Sequence, residues 1–460
     1  MSHSSTSPFA TVEMAPRDPI LGLTEAFNAD TRSNKVNLGV GVYYDNNGKV
    51  PLLSAVKTAE QARLTAQPAR SYQPIDGLAT YNQLVQQLVF GKDSPLIAEG
   101  RILTIEALGG TGALKVGGDW LHRLFPDAKI YISDPSWENH RALFETAGLV
   151  VESYPYYDAN GHGESPPRIM KHAPLTPIPS PTLPLKGRET TDAPCSSPFK
   201  GEAGRGMGNV FHAKTRGVDF VAMKSSLDDL PARSIVLLHA CCHNPTGADL
   251  TPAQWKEVVE VVQRRSLIPF IDMAYQGFAE DIEPDAMAVR LFAEAGVQFL
   301  VSSSFSKSFS LYGERVGALS VVTASREESA RVLSQIKRII RTNYSNPPTH
   351  GGAIVAAVLA NSELRAQWEA ELADMRHRIH AVRIELVAKL KAQGVSMDFI
   401  AQQRGMFSYT GLTPAEVDQL QREFGIYAVS TGRICLAALN DRNINTVANA
   451  IAAVLGHAHD

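Results

Sequence analysis

Short apolar runs alternate with longer stretches of helical periodicity across the middle of the chain. The runs are RILTIEAL, KIYISD, SIVLLHACC, LIPFIDM and VQFLVSSS, and a stretch such as TPAQWKEVVEVVQRR repeats its apolar residues at helical spacing. Apolar runs without polar alternation, separated by helices, are the pattern of a mostly parallel sheet buried on both faces. The pattern therefore predicts an α/β fold with strands at these positions. VQFLV (Val297 to Val301) is read as a strand that ends on serines, VVESYPYYD as a strand and VDFVAMKSSLDDL as a helix. In this architecture ligands bind beyond the carboxyl ends of the strands, so the residues at each exit matter most.

Those exits carry chemistry. RILTIEAL leads into Gly109-Gly110-Thr111-Gly112 and a helix, which presents backbone N–H groups suited to an anion. KIYISD leads into Pro135-Ser136-Trp137, SIVLLHACC into His243-Asn244-Pro245-Thr246-Gly247, and LIPFIDM carries Asp272 with Tyr275 three residues on. VQFLV leads into SSSFSKSFSLYGERVG, where Lys307 stands between Ser306 and Ser308 and Arg315 follows eight positions later. Taken singly, each feature has a plain structural reading. A Gly-rich turn without GK[ST] is no nucleotide loop, Trp137 could be core, Asp272 a helix cap, and Asn-Pro-Thr-Gly an ordinary turn. Cys241-Cys242-His243 reads as packing, since no second ligand pair accompanies it. Together they read differently. An amine, a carboxylate and a phosphate pocket on successive exits are what a phosphorylated aldehyde cofactor with a basic ring nitrogen requires.

Composition narrows the field. A chain of 460 residues, 44% hydrophobic and 20% charged, is expected to be an ordinary globular protein of more than one domain. A net charge of −3 without a basic block argues against nucleic acid as a partner. The first 20 residues lack the apolar core of a secretory signal, and no run is long enough to suggest a membrane span. Four cysteines without CxxC spacing indicate neither a zinc site nor a disulfide framework, so a cytoplasmic location is expected. Residues 166–208 stand apart, with nine of the 27 prolines and little apolar periodicity. They read as a flexible insertion, since PIPSPTLP is more plainly a surface loop than a polyproline ligand.

The exits and their flanks resemble the class I, fold-type I pyridoxal-phosphate aminotransferases, specifically the aspartate/aromatic amino acid subgroup. The resemblance rests on NLGVGVYYD, GGTGALKVGGDWL, DPSWENH, CCHNPTGADL, DMAYQGF, SFSKSFSLYGERVG, RTNYSNPPTHG, RGMFSYTGL and STGRICLA, in that order. It spans nearly the whole chain outside 166–208. It implies a three-layer α/β fold with a mainly parallel seven-stranded sheet in a large domain and a smaller α+β domain. The expected division is 1–49 for an N-terminal arm and part of the small domain, 50–328 for the large cofactor domain, and 329–460 for a connecting helix and the small domain.

Residue by residue, the resemblance makes Lys307 the lysine that binds pyridoxal 5'-phosphate as a Schiff base and later moves the Cα proton. Asp272 would hold the ring nitrogen protonated, Tyr275 and Asn244 would bond the ring oxygen, and Trp137 would stack on the ring. Gly110, Thr111, Ser304, Ser306 and Arg315 would hold the phosphate, with Tyr72 reaching in from a second subunit. Arg433 would grip the substrate α-carboxylate, a bidentate task for which lysine is ill suited. Arg341 would cross a homodimer interface to the distal carboxylate, and Gly41 would lie on a loop over the substrate. The implied activity is ping-pong transamination of tyrosine, phenylalanine or aspartate with a 2-oxo acid such as 2-oxoglutarate. A decarboxylase or lyase on the same scaffold would share Lys307 and Asp272 but have little use for both arginines. Tyr44 and Val50 resemble the aromatic-accepting members, whereas Thr111 and Asn346 resemble the aspartate type.

Overall fold

The structure is a computed structural model that describes residues 7, 9–15, 20–159 and 216–456. The expected insertion at 166–208, and Cys195 within it, lie outside the described residues.

Seven strands form the central sheet: β1 (Ile102–Leu108), β2 (Lys129–Asp134), β3 (Val150–Pro155), β4 (Ile235–His239), β5 (Ile268–Met273), β6 (Leu300–Ser304) and β7 (Val316–Val322). Their order across the sheet is β1-β7-β6-β5-β4-β2-β3. All neighbours are parallel except β7, which runs antiparallel to both β1 and β6. The mainly parallel seven-stranded sheet is thus the expected one. Its one reversed strand matters for the site. Because β7 runs backwards, its first residues lie at the edge where the other strands end, and Arg315 arrives beside the exit of β6.

One boundary differs from the sequence reading. β6 starts at Leu300, three residues after Val297, and Ser302, Ser303 and Ser304 belong to the strand. The serines are paired on both sides, with Leu319, Ala318 and Gly317 of β7 and, for the first two, Asp272 and Met273 of β5. A hydroxyl is tolerated in a buried strand when it has a partner, and Ser302 Oγ donates to the Gly110 carbonyl at 3.2 Å.

Helices cover both faces. α1 (Gly109–Leu124), α2 (Glu138–Thr146) and α4 (Arg326–Asn343) bury Leu114, Phe144 and Ile336 with Ile105, Phe270 and Leu319 of the sheet. α3 (Pro252–Arg265) packs Trp255, Val258 and Val262 into the other core. Its start is specified locally: Thr251 and Gln254 form a capping box, Pro252 takes the first turn, and Arg264 and Arg265 sit at the negative end of the helix dipole. The 31-residue α5 (Ser362–Ala392) buries Trp368, Leu372 and Leu386 in the same core as α3. Beyond the sheet, Phe407–Tyr409 pairs with Arg433–Cys435, and Val36–Asn37 pairs with Ile426–Tyr427. The Cys435 N–H donates to the Leu38 carbonyl at 2.7 Å, which seats Arg433 against the N-terminal segment.

Glu106 on β1 is the least comfortable core residue. It is 1% exposed and accepts one long bond, 3.4 Å, from the Leu78 N–H. Among the described residues no basic side chain pairs with it. The backbone of Gly352 packs so closely that a Cβ there would lie 2.1 Å from Glu106 Oε1. Burial, partly offset by that bond, pushes its carboxyl up to about 7. The unfolded carboxyl ionises near 4.5 while the folded one keeps its proton, so stability falls as pH rises from about 4.5 to about 7. The full effect is about 3 kcal/mol. Glu106→Gln should remove that slope, giving a Tm several degrees above wild type at pH 8 and little difference at pH 4.5; thermal melts at both pH values test it.

Candidate active site

The strand exits supply the site in order. Register places His239 of β4 opposite Asp272 of β5, and Asp272 opposite Ser302 of β6. Asp272 is 8% exposed. Burial alone would push its carboxyl up, but the His140 hydrogen bond and the electrostatic pull of its neighbours, Lys307 among them, outweigh it and hold the carboxyl low. His140 Nε2 lies 3.2 Å from Asp272 Oδ2. A carboxylate only accepts, so Nε2 carries the proton, and Nδ1 accepts from Ser136 Oγ at 2.9 Å. The buried chain continues. Ser136 Oγ is 3.4 Å from His239 Nε2, while His243 bonds Ser133 Oγ at 2.9 Å and Thr246 Oγ1 at 2.8 Å. Burial, reinforced by neighbouring imidazoles, lowers His239 to about 3 and His243 well below the usual histidine range, so both stay neutral. Asp134–Pro135 and Asn244–Pro245 are cis peptides at these two exits.

Lys307 follows β6, with its Nζ 4.9 Å from the centroid of the Tyr275 ring. Burial lowers its amine to about 8; Asp272 pulls it up while Arg315 and Arg433 push it down. Tyr275 is buried, and burial raises its hydroxyl well above the usual range despite Arg433. Beside Lys307 lies a polar cradle. The Ser306 N–H donates to Ser304 Oγ at 3.3 Å, and Arg315 Nη1 donates to Ser306 Oγ at 3.3 Å. Gly109, at φ +69°, begins α1 there, and a Cβ on it would lie 2.6 Å from Arg315 Nη2. A Cβ on Gly110 would lie 3.2 Å from Ser304 Cβ. Thr111 follows in the first turn of α1. Helix N–H groups, serine hydroxyls and a guanidinium thus surround one small space.

Arg433 closes the opposite side. It is 1% exposed, with Nη1 donating to Asn244 Oδ1 at 3.0 Å and Nη2 to the Gly39 carbonyl at 2.7 Å. Its guanidinium lies 4.5 Å from the Phe407 ring centroid, and its buried Nε has no partner. A buried cationic donor left unpaired is expensive unless a ligand meets it. Gly41 follows Gly39 on the same segment, and its Cα faces Phe407 closely enough that a Cβ would lie 2.6 Å from Cζ. Trp137 caps α2 edge-on to His140, with centroids 5.1 Å apart.

The crevice therefore gathers Gly41, Gly110, Thr111, Trp137, Asn244, Asp272, Tyr275, Ser304, Ser306, Lys307, Arg315 and Arg433. It does not gather Tyr72 and Arg341. Tyr72 is 93% exposed, and Arg341 is exposed with its guanidinium on Ser345 Oγ. Sequence reasoning missed His140, Ser136 and His239, which hold Asp272, as well as Phe407 and Glu138 on either side of Arg433. His140 had a signal: it lies three residues after Trp137, on the same helix face. Among the described residues no His, Cys, Asp or Glu cluster could hold a metal, and Cys241, Cys242 and Cys435 are buried and free.

A family profile for aminotransferase class I and II matches residues 33–164 and 204–451, leaving out most of the proline-rich segment. An aspartate aminotransferase of Pseudomonas aeruginosa is 55% identical, covering 97% of this chain and 99% of that protein. An aromatic-amino-acid aminotransferase of Escherichia coli is 47% identical, over 97% and 100%. The crystal structure of an aromatic-amino-acid aminotransferase from Burkholderia pseudomallei, covalently bound to pyridoxal phosphate, superposes with a TM-score of 0.84 at 59% identity, covering 98% and 100%.

Proposed function

The chain belongs to the aminotransferase class I and II family, and from that premise we propose that the crevice carries out pyridoxal-phosphate-dependent transamination. Its substrates would be an aromatic or acidic L-amino acid (tyrosine, phenylalanine or aspartate) and a 2-oxo acid such as 2-oxoglutarate, used in turn by a ping-pong mechanism. The observation that carries the reading is Lys307, an amine lowered to about 8, set between the Asp272 carboxylate and the cradle of Ser304, Ser306 and Arg315.

The residues fit the cofactor. The cradle offers a phosphate what it needs: a guanidinium, hydroxyls and helix N–H groups, kept open by Gly109 and Gly110. The cofactor, when bound, supplies a reactive aldehyde and a ring that withdraws electrons from the substrate Cα. Lys307 Nζ would bind that aldehyde, and near pH 8 the amine both loses and accepts a proton readily, as a group that shuttles the Cα proton must. Asp272, kept ionised by His140, would hold a proton on the ring nitrogen. Tyr275 and Asn244 would bond the ring oxygen, and Trp137 would cover the ring. Arg433, with its free Nε, would bind the α-carboxylate and orient the Cα–H bond toward Lys307.

Tyr72 and Arg341 support a homodimer. The segment that carries Tyr72 is tied to the one that follows α4, whose last turn carries Arg341: Asn346 Nδ2 donates to the Gln73 carbonyl at 3.0 Å, and Gln73 Nε2 to the Pro348 carbonyl at 3.4 Å. This exposed unit would complete the site of a second copy, Tyr72 at the phosphate and Arg341 at the distal carboxylate. We read 50–328 as the cofactor domain, with 1–49 and 329–460 forming the arm and small domain, and the location as cytoplasmic. Among the described residues no helix is long and apolar enough to cross a membrane.

Borohydride reduction of the holoenzyme followed by peptide mapping tests the site. The label should fall on the peptide containing Lys307, and label on any other lysine would overturn the assignment.

A further inference from the structure

Arg433 is buried, and among the described residues one acidic side chain meets its guanidinium: Glu138 Oε2, 3.4 Å from Nη1. Its other acceptors, Asn244 Oδ1 and the Gly39 carbonyl, are neutral. Glu138 opens α2 beside Trp137, and its side chain keeps 21% of its surface exposed. It therefore reaches the crevice from the wall and remains in contact with solvent. A buried guanidinium calls for a counter-charge, and Glu138 supplies one before any ligand arrives.

A carboxylate ligand on Arg433 changes that balance. One cation then faces two anions, and the charge of Glu138 is no longer offset. We propose that Glu138 is a specificity-determining residue that disfavours dicarboxylic ligands relative to aromatic monocarboxylic ones. The proposal rests on the reading of Arg433 as the α-carboxylate anchor. A monocarboxylate brings one negative charge, which Arg433 neutralises. A dicarboxylate brings a second negative charge into the crevice that Glu138 borders, and Glu138 adds a repulsion to it whether or not Arg341 of a second copy also meets it, since Coulomb interactions there are weakly screened. An aromatic side chain meets no such repulsion. Like-charge juxtaposition is a common means of rejecting one ligand while sparing another.

The test is calorimetric titration of the holoenzyme with 3-phenylpropionate and with succinate, neither of which has an amino group to react. Glu138→Gln keeps the side-chain size and removes the charge. It should tighten succinate about tenfold more than 3-phenylpropionate. Glu138→Ala should shift the ratio of the two Kd values the same way, so the result does not depend on one variant folding. A ratio unchanged in both variants, or shifted toward 3-phenylpropionate, overturns the proposal. Arg433→Leu separates the underlying reading: it should weaken both ligands at least about a hundredfold. If both bind it as they bind wild type, Arg433 is not the anchor, whatever Glu138 does.

Discussion

Lys307→Ala is expected to lower kcat by about 10⁴-fold or more while leaving the fold and the phosphate cradle in place. Two roles disappear together, the covalent hold on the cofactor and the proton carrier, and proton transfer alone is worth about 10²–10⁴. The cradle does not depend on the amine: Ser306 is bonded to Ser304 and Arg315, and the α1 N-terminus is set by Gly109. The variant should therefore still retain pyridoxal phosphate, but after borohydride treatment acid denaturation should release the cofactor, reduced to its alcohol, free of the chain. Lys307→Arg is a sharper control. It keeps a cation beside Asp272, but a guanidinium stays protonated at every working pH and cannot act as nucleophile or proton carrier. It should be as inactive as the alanine variant. Turnover within tenfold of wild type in either variant would remove Lys307 from the chemistry. Single-turnover absorbance with aspartate, alongside steady-state kcat, makes the distinction.

How much of this site was legible in the sequence follows from what each residue depends on. Lys307, Asp272 and the glycines of α1 stand at the ends of continuous apolar strands, and strand exits can be read from hydrophobic runs alone. The reversed direction of β7 could not be read that way. VGALSVV looks the same in either direction, and only its pairing with β1 and β6 brings Arg315 to the cradle. The end of β6 was placed too early because Ser302–Ser304 look polar, whereas their backbone is laddered to β7, that of Ser302 and Ser303 also to β5, and Ser302 Oγ is satisfied by Gly110. In the His140–Ser136–His239 chain behind Asp272 the Ser136–His140 bond is local, but the contacts to His239 and Asp272 join residues 103 and 132 positions apart, which no local pattern records. The same holds for Glu138 and Phe407, which become neighbours only once Arg433 is folded against them.

The two arginines give a test of how one pocket serves two kinds of side chain. Arg433→Leu should lower kcat/KM for aspartate and phenylalanine alike, by about 10³-fold or more, because both substrates carry the α-carboxylate and lose a buried charge-assisted pair. The loss should exceed that of a surface pair, since Arg433 is 1% exposed and Asn244 Oδ1 loses its donor as well. Arg341→Leu should behave differently. Arg341 is exposed in the last turn of α4 and held on Ser345, so it can meet a distal carboxylate in a second copy or remain on Ser345 when an aromatic ring enters. Burying a phenyl ring against an unpaired guanidinium would be costly, so the second position is the one compatible with phenylalanine. Aspartate should therefore lose about 10²-fold or more in kcat/KM in this variant, while phenylalanine stays within about tenfold of wild type or improves. Steady-state kinetics with each amino acid and 2-oxoglutarate decide it. Equal losses for both substrates in Arg341→Leu would place the distal-group contact on another residue, and a loss confined to aspartate in Arg433→Leu would mean that the α-carboxylate is held elsewhere.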